Sequence, residues 1–192
     1  FAAVEESDED EVRRMFEINL FGLARMIHLV LPGMRARRSG HIVNLSSIGG
    51  LRAFPGIGYY NSSKFAVEGL SEALAQEVAP LGIKVTIVEP SGFRTDWAGR
   101  SANDARTSIA DYDATAGQNR GHIRGYNGAQ PGDPARAARA IVDAVEARHP
   151  PLRLLLGKAA LAGARGKIAD LTRNFDAWAG VAQAADFPDE VS

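Results

Sequence analysis

Cysteine is absent from the 192 residues, which excludes disulfides and thiolate metal sites and fits a reducing, cytoplasmic compartment. No unbroken apolar run approaches the length of a bilayer span, and no charged-then-apolar leader opens the chain, so no membrane partner is expected. A charge bias is lacking too. The 22 basic and 23 acidic side chains give a net charge of −1, which argues against a nucleic-acid footprint. The one basic cluster, Arg35-Ala36-Arg37-Arg38, falls where a helix should end, and cations there suit the helix dipole better than they suit a polymer contact. The four histidines, His28, His41, His122 and His149, share no metal-ligand spacing, so no metal site is expected. The chain opens on Phe1 rather than Met, which reads as an interior point of a longer gene product.

Apolar residues make up 45% of the chain and charged residues 23%, the composition of one globular domain. Ser7-Asp8-Glu9-Asp10 is a helix start, and Met15, Phe16, Leu20, Leu23, Ile27 and Leu31 recur at helical spacing, predicting a long helix from about Asp8 to Arg37. His41 to Ser47 reads as a short buried strand, and the glycine-rich Gly49–Gly58 as a loop. A helix from Tyr60 to about Pro80 and a strand from Ile83 to Val88 complete a parallel strand–helix–strand unit. The segment 96–132 is polar and weakly periodic, a long connection of the kind that is usually functional. Asp133-Pro134 opens a further helix to about Arg148. Leu152–Leu156 is a third strand, and a last, mostly surface helix spans Lys158 to about Ala179.

Tyr60 and Lys64 sit four residues apart near a helix start, so they share a face. A free tyrosine is a poor base at neutral pH. Bringing it there requires about 4 kcal/mol, which a partly desolvated cation and a bound charge can supply. The pair is either a proton donor and acceptor or an exposed pair with no task. Ser47 ends a strand at the carboxyl edge of a parallel sheet, where open α/β folds place ligands. It either holds a substrate oxygen beside Tyr60 or satisfies backbone groups. Asn19 interrupts an apolar helical run, which a buried amide does only with partners. It is either a structural hydrogen bond or a relay post near Lys64. No Gly-x-Ser-x-Gly elbow surrounds Ser47, which argues against a hydrolase.

Asn19 with Gly22, then Ile42-Val43-Asn44-Leu45-Ser46-Ser47, then Tyr60 to Lys64, then Pro90 to Thr95 occur in the order and spacing of the short-chain dehydrogenase/reductase family, which the chain resembles over nearly its whole length. The wording of residues 54–59 and 93–97 is similar to bacterial members related to 17β-hydroxysteroid dehydrogenases. The resemblance implies a Rossmann-like αβα fold with a parallel sheet, and a single domain with catalytic motifs over 19–95, a substrate loop at about 96–132 and C-terminal elements over 133–192. It implies hydride transfer between NAD(P) and a secondary alcohol or ketone. Asn19, Ser47, Tyr60 and Lys64 are then the catalytic tetrad: Tyr60 is the acid/base and also a cofactor-binding residue, Ser47 orients the substrate oxygen, Lys64 lowers the Tyr60 pKa and binds the nicotinamide ribose, and Asn19 holds a relay water. Pro90, Ser91, Gly92 and Phe93 would pass under the nicotinamide ring, and Thr95 would contact its carboxamide. Ser91 departs from the family's usual glycine and is expected to crowd the ring or change the turn.

The family's glycine-rich phosphate loop is not among these residues, nor are its first strand–helix units, so the strand at Ile42–Leu45 is expected to present an open edge. The choice between NAD and NADP goes with that missing part. The complete protein is expected to be a homodimer or homotetramer through its long helices. Trp97, Ile109, Tyr112 and Tyr126 suggest an apolar substrate. The other reading is a catalytically inert fragment or a non-catalytic binding module that keeps the fold.

Overall fold

The computed structural model of the chain describes residues 1–99 and 102–187. The long first helix forms in three parts. Asp8 caps α1 (Glu9–Phe16), its carboxylate accepting from the N–H groups of Asp10 and Glu11. A widened, π-type turn spans Glu17–Gly22, and α2 (Leu23–Arg37) continues the run. Arg38 ends it at φ 53°, and its guanidinium donates to the Pro80 carbonyl at 2.7 Å, so the basic cluster is a helix end. The joined run Glu9–Arg37 is 29 residues long and, by length and composition, apolar enough to cross a bilayer, with a mean hydropathy of 1.3 in its most apolar stretch. That corrects the sequence reading, which looked for unbroken apolar runs and passed over a helix whose charges are spaced apart. Among the described residues only Ile27 of this run is buried, with Ile42, Leu74 and Val85, and Leu23 and Leu31 lie partly buried against them; Ile18, Phe21, Met26 and Leu29 stay exposed.

Three parallel strands form one sheet in the order β1 (Gly40–Leu45), β2 (Ile83–Pro90), β3 (Arg153–Leu156). Ile42 stands beside Val85, and Val88 beside Leu154. α3 (Gly58–Val78) carries the chain from β1 to β2, and α5 (Pro134–Glu146) from β2 to β3. Helices flank the sheet, and the β-branched residues of β2 form its buried centre. The other edge of β1 is unpaired among the described residues, with Leu45 58% exposed. Several predicted boundaries move: β2 runs on to Pro90 rather than Val88, and α3 starts at Gly58 rather than Tyr60. β1 stops at Leu45 rather than Ser47, because Ser47 turns away to cap a short helical turn at Ile48–Gly50, although the Ser46 N–H still reaches Val88 O at 2.8 Å. Segment 96–132 is not a plain loop: it holds α4 (Gln118–Gly125) and short helical turns on either side of Tyr112, built by Ala and Gly positions with little periodicity to read. The last helix, α6, spans Lys158–Gln183.

Behind the sheet edge lies a partly buried ionic cluster. Arg153 on β3 donates to Glu89 on β2 at 2.9 Å, to Glu72 on α3 at 2.7 Å, and to Glu68. Glu89 is fully buried. One oxygen each of Glu68 and Glu89 has no other partner, and the two carboxyls lie against one another. Burial, opposed by Arg153 and reinforced by Glu68, pushes the Glu89 carboxyl up to about 7, so Glu89 holds a proton that a free carboxyl would release. Folded Glu89 therefore keeps its proton between the ordinary carboxyl range and about 7, where the unfolded chain has lost it, and stability falls as pH rises through that window. Wild-type stability minus that of Glu89→Gln should drop by up to about 3 kcal/mol between the acid and alkaline ends of the window. Denaturant melts of both proteins across that range test this. A flat difference would mean that the carboxyl is ionised throughout.

Candidate active site

The site assembles at the carboxyl ends of β1 and β2. Ser47 follows β1, and its hydroxyl accepts from Gly49 N–H at 3.0 Å while facing Pro90 O, at the end of β2, at 3.5 Å. Gly49 is required here. A Cβ on it would come within 2.7 Å of Asn61 Nδ2 and 3.3 Å of both Ser47 Oγ and the Tyr60 ring. Its bareness lets the Tyr60 ring and the Ser47 hydroxyl both crowd in on the same side of the loop. Lys64, one turn further along α3, has its ammonium 5.8 Å from the Tyr60 ring centroid and donates to the Leu45 carbonyl at 2.9 Å. The predicted Ser47, Tyr60 and Lys64 thus come together.

Asn19 joins them indirectly. It sits in the widened turn, and its amide donates to Ser63 Oγ at 3.0 Å; Ser63 in turn donates to Tyr60 O at 2.8 Å. The structural hydrogen bond foreseen for Asn19 is present, and Asn19 also lines, with Lys64, Leu45 and Met26, an open groove of about 540 Å³ along the free edge of β1. The stretch from Pro90 to Thr95 runs past Ser47 and is tied down at Gly132, whose N–H donates to Gly92 O at 3.0 Å and whose carbonyl accepts from Arg94 N–H at 3.1 Å. Ser91 turns its hydroxyl to Leu156 O at 3.3 Å. Gly157, at φ 96°, leaves room for it, since a Cβ there would lie 2.4 Å from Ser91 Oγ. Thr95 caps the turn Asp96–Ala98, which lays the Trp97 ring 5.2 Å from that of Tyr60.

Of the four side chains expected at the substrate site, Trp97 and Tyr126 gather in the apolar cluster that includes Tyr60, Ile57 and Ile123. Ile109 and Tyr112 anchor the segment elsewhere: Ile109 N–H donates to Glu6 at 2.8 Å, and the Tyr112 hydroxyl donates to Glu5. Sequence reasoning missed Asn61 and Ser63. Asn61 is buried, accepts from Phe54 N–H at 2.9 Å and donates to Gly49 O at 3.0 Å, pinning the glycine-rich loop to the helix. Three small polar residues directly after Tyr60, Asn61-Ser62-Ser63, in a first turn facing a glycine loop, were the available signal.

The electrostatics differ from the simplest expectation. Burial pushes the Tyr60 phenol above its ordinary value, the hydrogen bond with Ser47 opposes this in part, and the Lys64 ammonium does not offset it. Burial also lowers Lys64, against a smaller raising effect of Glu68. The pair stands as a neutral phenol beside a weakened ammonium. Such an arrangement keeps the phenol protonated but makes it a reluctant donor, and a further positive charge is needed to stabilise the phenolate and bring the proton into play in either direction.

The sequence profile of one family, described as short chain dehydrogenase, matches residues 1–106. The oxidoreductase BOA17 of Botryotinia fuckeliana is 42% identical over 170 residues, 88% of this chain and 61% of that protein. The 3-ketodihydrosphingosine reductase of Bacteroides thetaiotaomicron is 39% identical over 167 residues, 81% of this chain and 58% of its own length. Among solved structures, a short-chain dehydrogenase from Streptomyces avermitilis superposes with a TM-score of 0.88 at 42% identity, covering 97% of this chain and 66% of that one. The chain thus spans about three-fifths of the length of the curated relatives it matches.

Proposed function

Since the chain belongs to the short-chain dehydrogenase family, we propose that the complete protein transfers a hydride between NAD(P) and a secondary alcohol or ketone, with Tyr60 as the acid/base. The observation that carries this reading is the meeting of the Tyr60 phenol with the Ser47 hydroxyl, one helical turn from the Lys64 ammonium. Ser47 donates to the substrate oxygen and fixes its distance from Tyr60. In the reductive direction Tyr60 gives its proton to that oxygen as negative charge develops, a transfer that needs added positive charge nearby to offset the upward push that burial gives the phenol. In the oxidative direction it takes the alcohol proton.

The residues present fit the nicotinamide end of the cofactor. Lys64 has one of its three N–H donors on Leu45 O, which leaves donors for a ribose hydroxyl. Bound NAD(P) supplies or accepts the hydride and, when oxidised, adds the positive charge that the buried phenol lacks. Pro90, Ser91, Gly92, Phe93 and Thr95 would hold the nicotinamide end. Asn19 holds the relay water toward Lys64. Trp97 and Tyr126 make the substrate side apolar, as a hydrophobic ketone requires. The same reading has the protein cytoplasmic and homodimeric or homotetrameric, with the phosphate-binding strand–helix units beside the free edge of β1.

Lys64→Met is expected to raise the dissociation constant for reduced cofactor in the complete protein by at least tenfold, about 1.4 kcal/mol, the scale of a lost charged hydrogen bond. Nicotinamide fluorescence titration reads it. Unchanged affinity would remove Lys64 from the cofactor site.

A further inference from the structure

α6 packs on the body only at its start. Ala160 and Ala164 are 0% and 6% exposed, and Gly163 lies against Ile48. The same face continues outward as Ile168, Leu171, Phe175 and Trp178, which are 65%, 37%, 63% and 63% exposed. Their spacing of three, four and three residues is that of a coiled-coil seam. From Lys167 to Gln183 the helix extends about 24 Å. A segment of that length standing alone is marginal in water, and four large apolar side chains along one stripe add to the cost.

We propose that this stripe is a docking surface for a second copy of the chain, paired antiparallel about a two-fold axis beside residue 173. Three features of the sequence on this helix favour a copy of itself. First, the stripe is self-complementary in volume: about that axis Ile168 faces the partner's Trp178 and Leu171 faces the partner's Phe175, so each layer joins an aliphatic to an aromatic side chain. Second, a two-fold brings some residues against their own counterparts, and here those are Thr172 and Asn174, both uncharged, so no like charges meet at the axis. Arg165 and Lys167, further out along the seam, face the partner's Ala179 and Val181. Third, the charges lie on the outer face, where Arg173 pairs with Asp170 within the same helix. Two copies would bring together four aromatic and four aliphatic side chains, on the order of 1,000 Å², where specific interfaces begin.

The alternative occupant is a lipid surface, which selects helices with Lys and Arg along the polar face. Between Ile168 and Gln183 the charged residues are Asp170, Arg173 and Asp176, one basic and two acidic, which disfavours an anionic membrane.

Sedimentation velocity on the full chain at micromolar concentration tests the pairing. Phe175→Asp should halve the mass of the wild-type particle. Because the chain holds no native cysteine, Thr172→Cys should give a disulfide-linked dimer on mild oxidation, while Arg173→Cys, facing outward, should not; this pair of variants keeps the test sharp if Phe175→Asp fails to fold. A monomeric wild type, an unchanged mass in Phe175→Asp, equal cross-linking at 172 and 173, or stripe-dependent binding of the monomer to phosphatidylserine vesicles would each overturn the proposal.

Discussion

Tyr60→Phe is expected to lower the turnover of the complete protein at least a hundredfold while leaving its fold and cofactor affinity nearly unchanged. A hundredfold corresponds to about 2.7 kcal/mol of transition-state stabilisation, the lower end of what a positioned proton donor contributes. The substitution is conservative for structure. The ring keeps its contacts with Trp97 and the apolar cluster of Ile57 and Ile123, and only the hydroxyl facing Ser47 is lost. The loss should therefore appear in kcat, with KM and the melting temperature close to wild type. Ser47→Ala should act more weakly, since it removes an orienting hydroxyl and leaves the proton donor in place. Near-normal turnover in Tyr60→Phe would sink the assignment of the acid/base.

At alkaline pH Arg153→Ala should destabilise the fold by about 3 kcal/mol, because removing the cation leaves the buried Glu68 and Glu89 carboxylates charged and unpaired. Arg153 is the cation that meets Glu68, Glu72 and Glu89, and two of those carboxylates are buried. The effect should shrink toward acid pH, where the orphaned carboxyls are protonated, and Glu89→Gln in the same chain should recover part of it. Chemical denaturation at acid and alkaline pH reads both trends. A loss under 1 kcal/mol at alkaline pH would mean that water reaches the cluster and that it is a surface network of modest effect.

The parts of the fold that repeat locally were legible in the sequence. β1, α3 and β2 follow from β-branched runs, a helical apolar stripe and the glycines between them, and Tyr60 with Lys64 follows from helical spacing. The ionic cluster was not legible. Glu68 and Glu72 sit on a helix whose charged positions look like a solvated face, and Glu89 is one acid in an otherwise apolar strand. Only the parallel pairing of β2 with β3 brings Arg153 to them. The widened turn at Glu17–Gly22 was hidden as well, because apolar residues around it cover more than one face and mask the shift of register that an extra residue causes. In segment 96–132 small residues form helical turns for tertiary reasons, with Arg124 held by the carbonyls of Ala98 and Gly99 at 3.0 and 2.6 Å. At the site, the types and spacing of Ser47, Tyr60 and Lys64 were readable, whereas the upward push on Tyr60 was not, since it depends on how deeply the phenol is buried.

The most direct test of the central claim follows the hydride itself. The complete protein is incubated with nicotinamide cofactor deuterated at the transferable position and a panel of apolar ketones, and the alcohol products are examined by mass spectrometry. Hydride transfer with Tyr60 as proton donor predicts one deuterium on the carbinol carbon of at least one product with the wild type, and little product with Tyr60→Phe. Unlabelled alcohol, no alcohol from any ketone of the panel, or equal label transfer by Tyr60→Phe would contradict it.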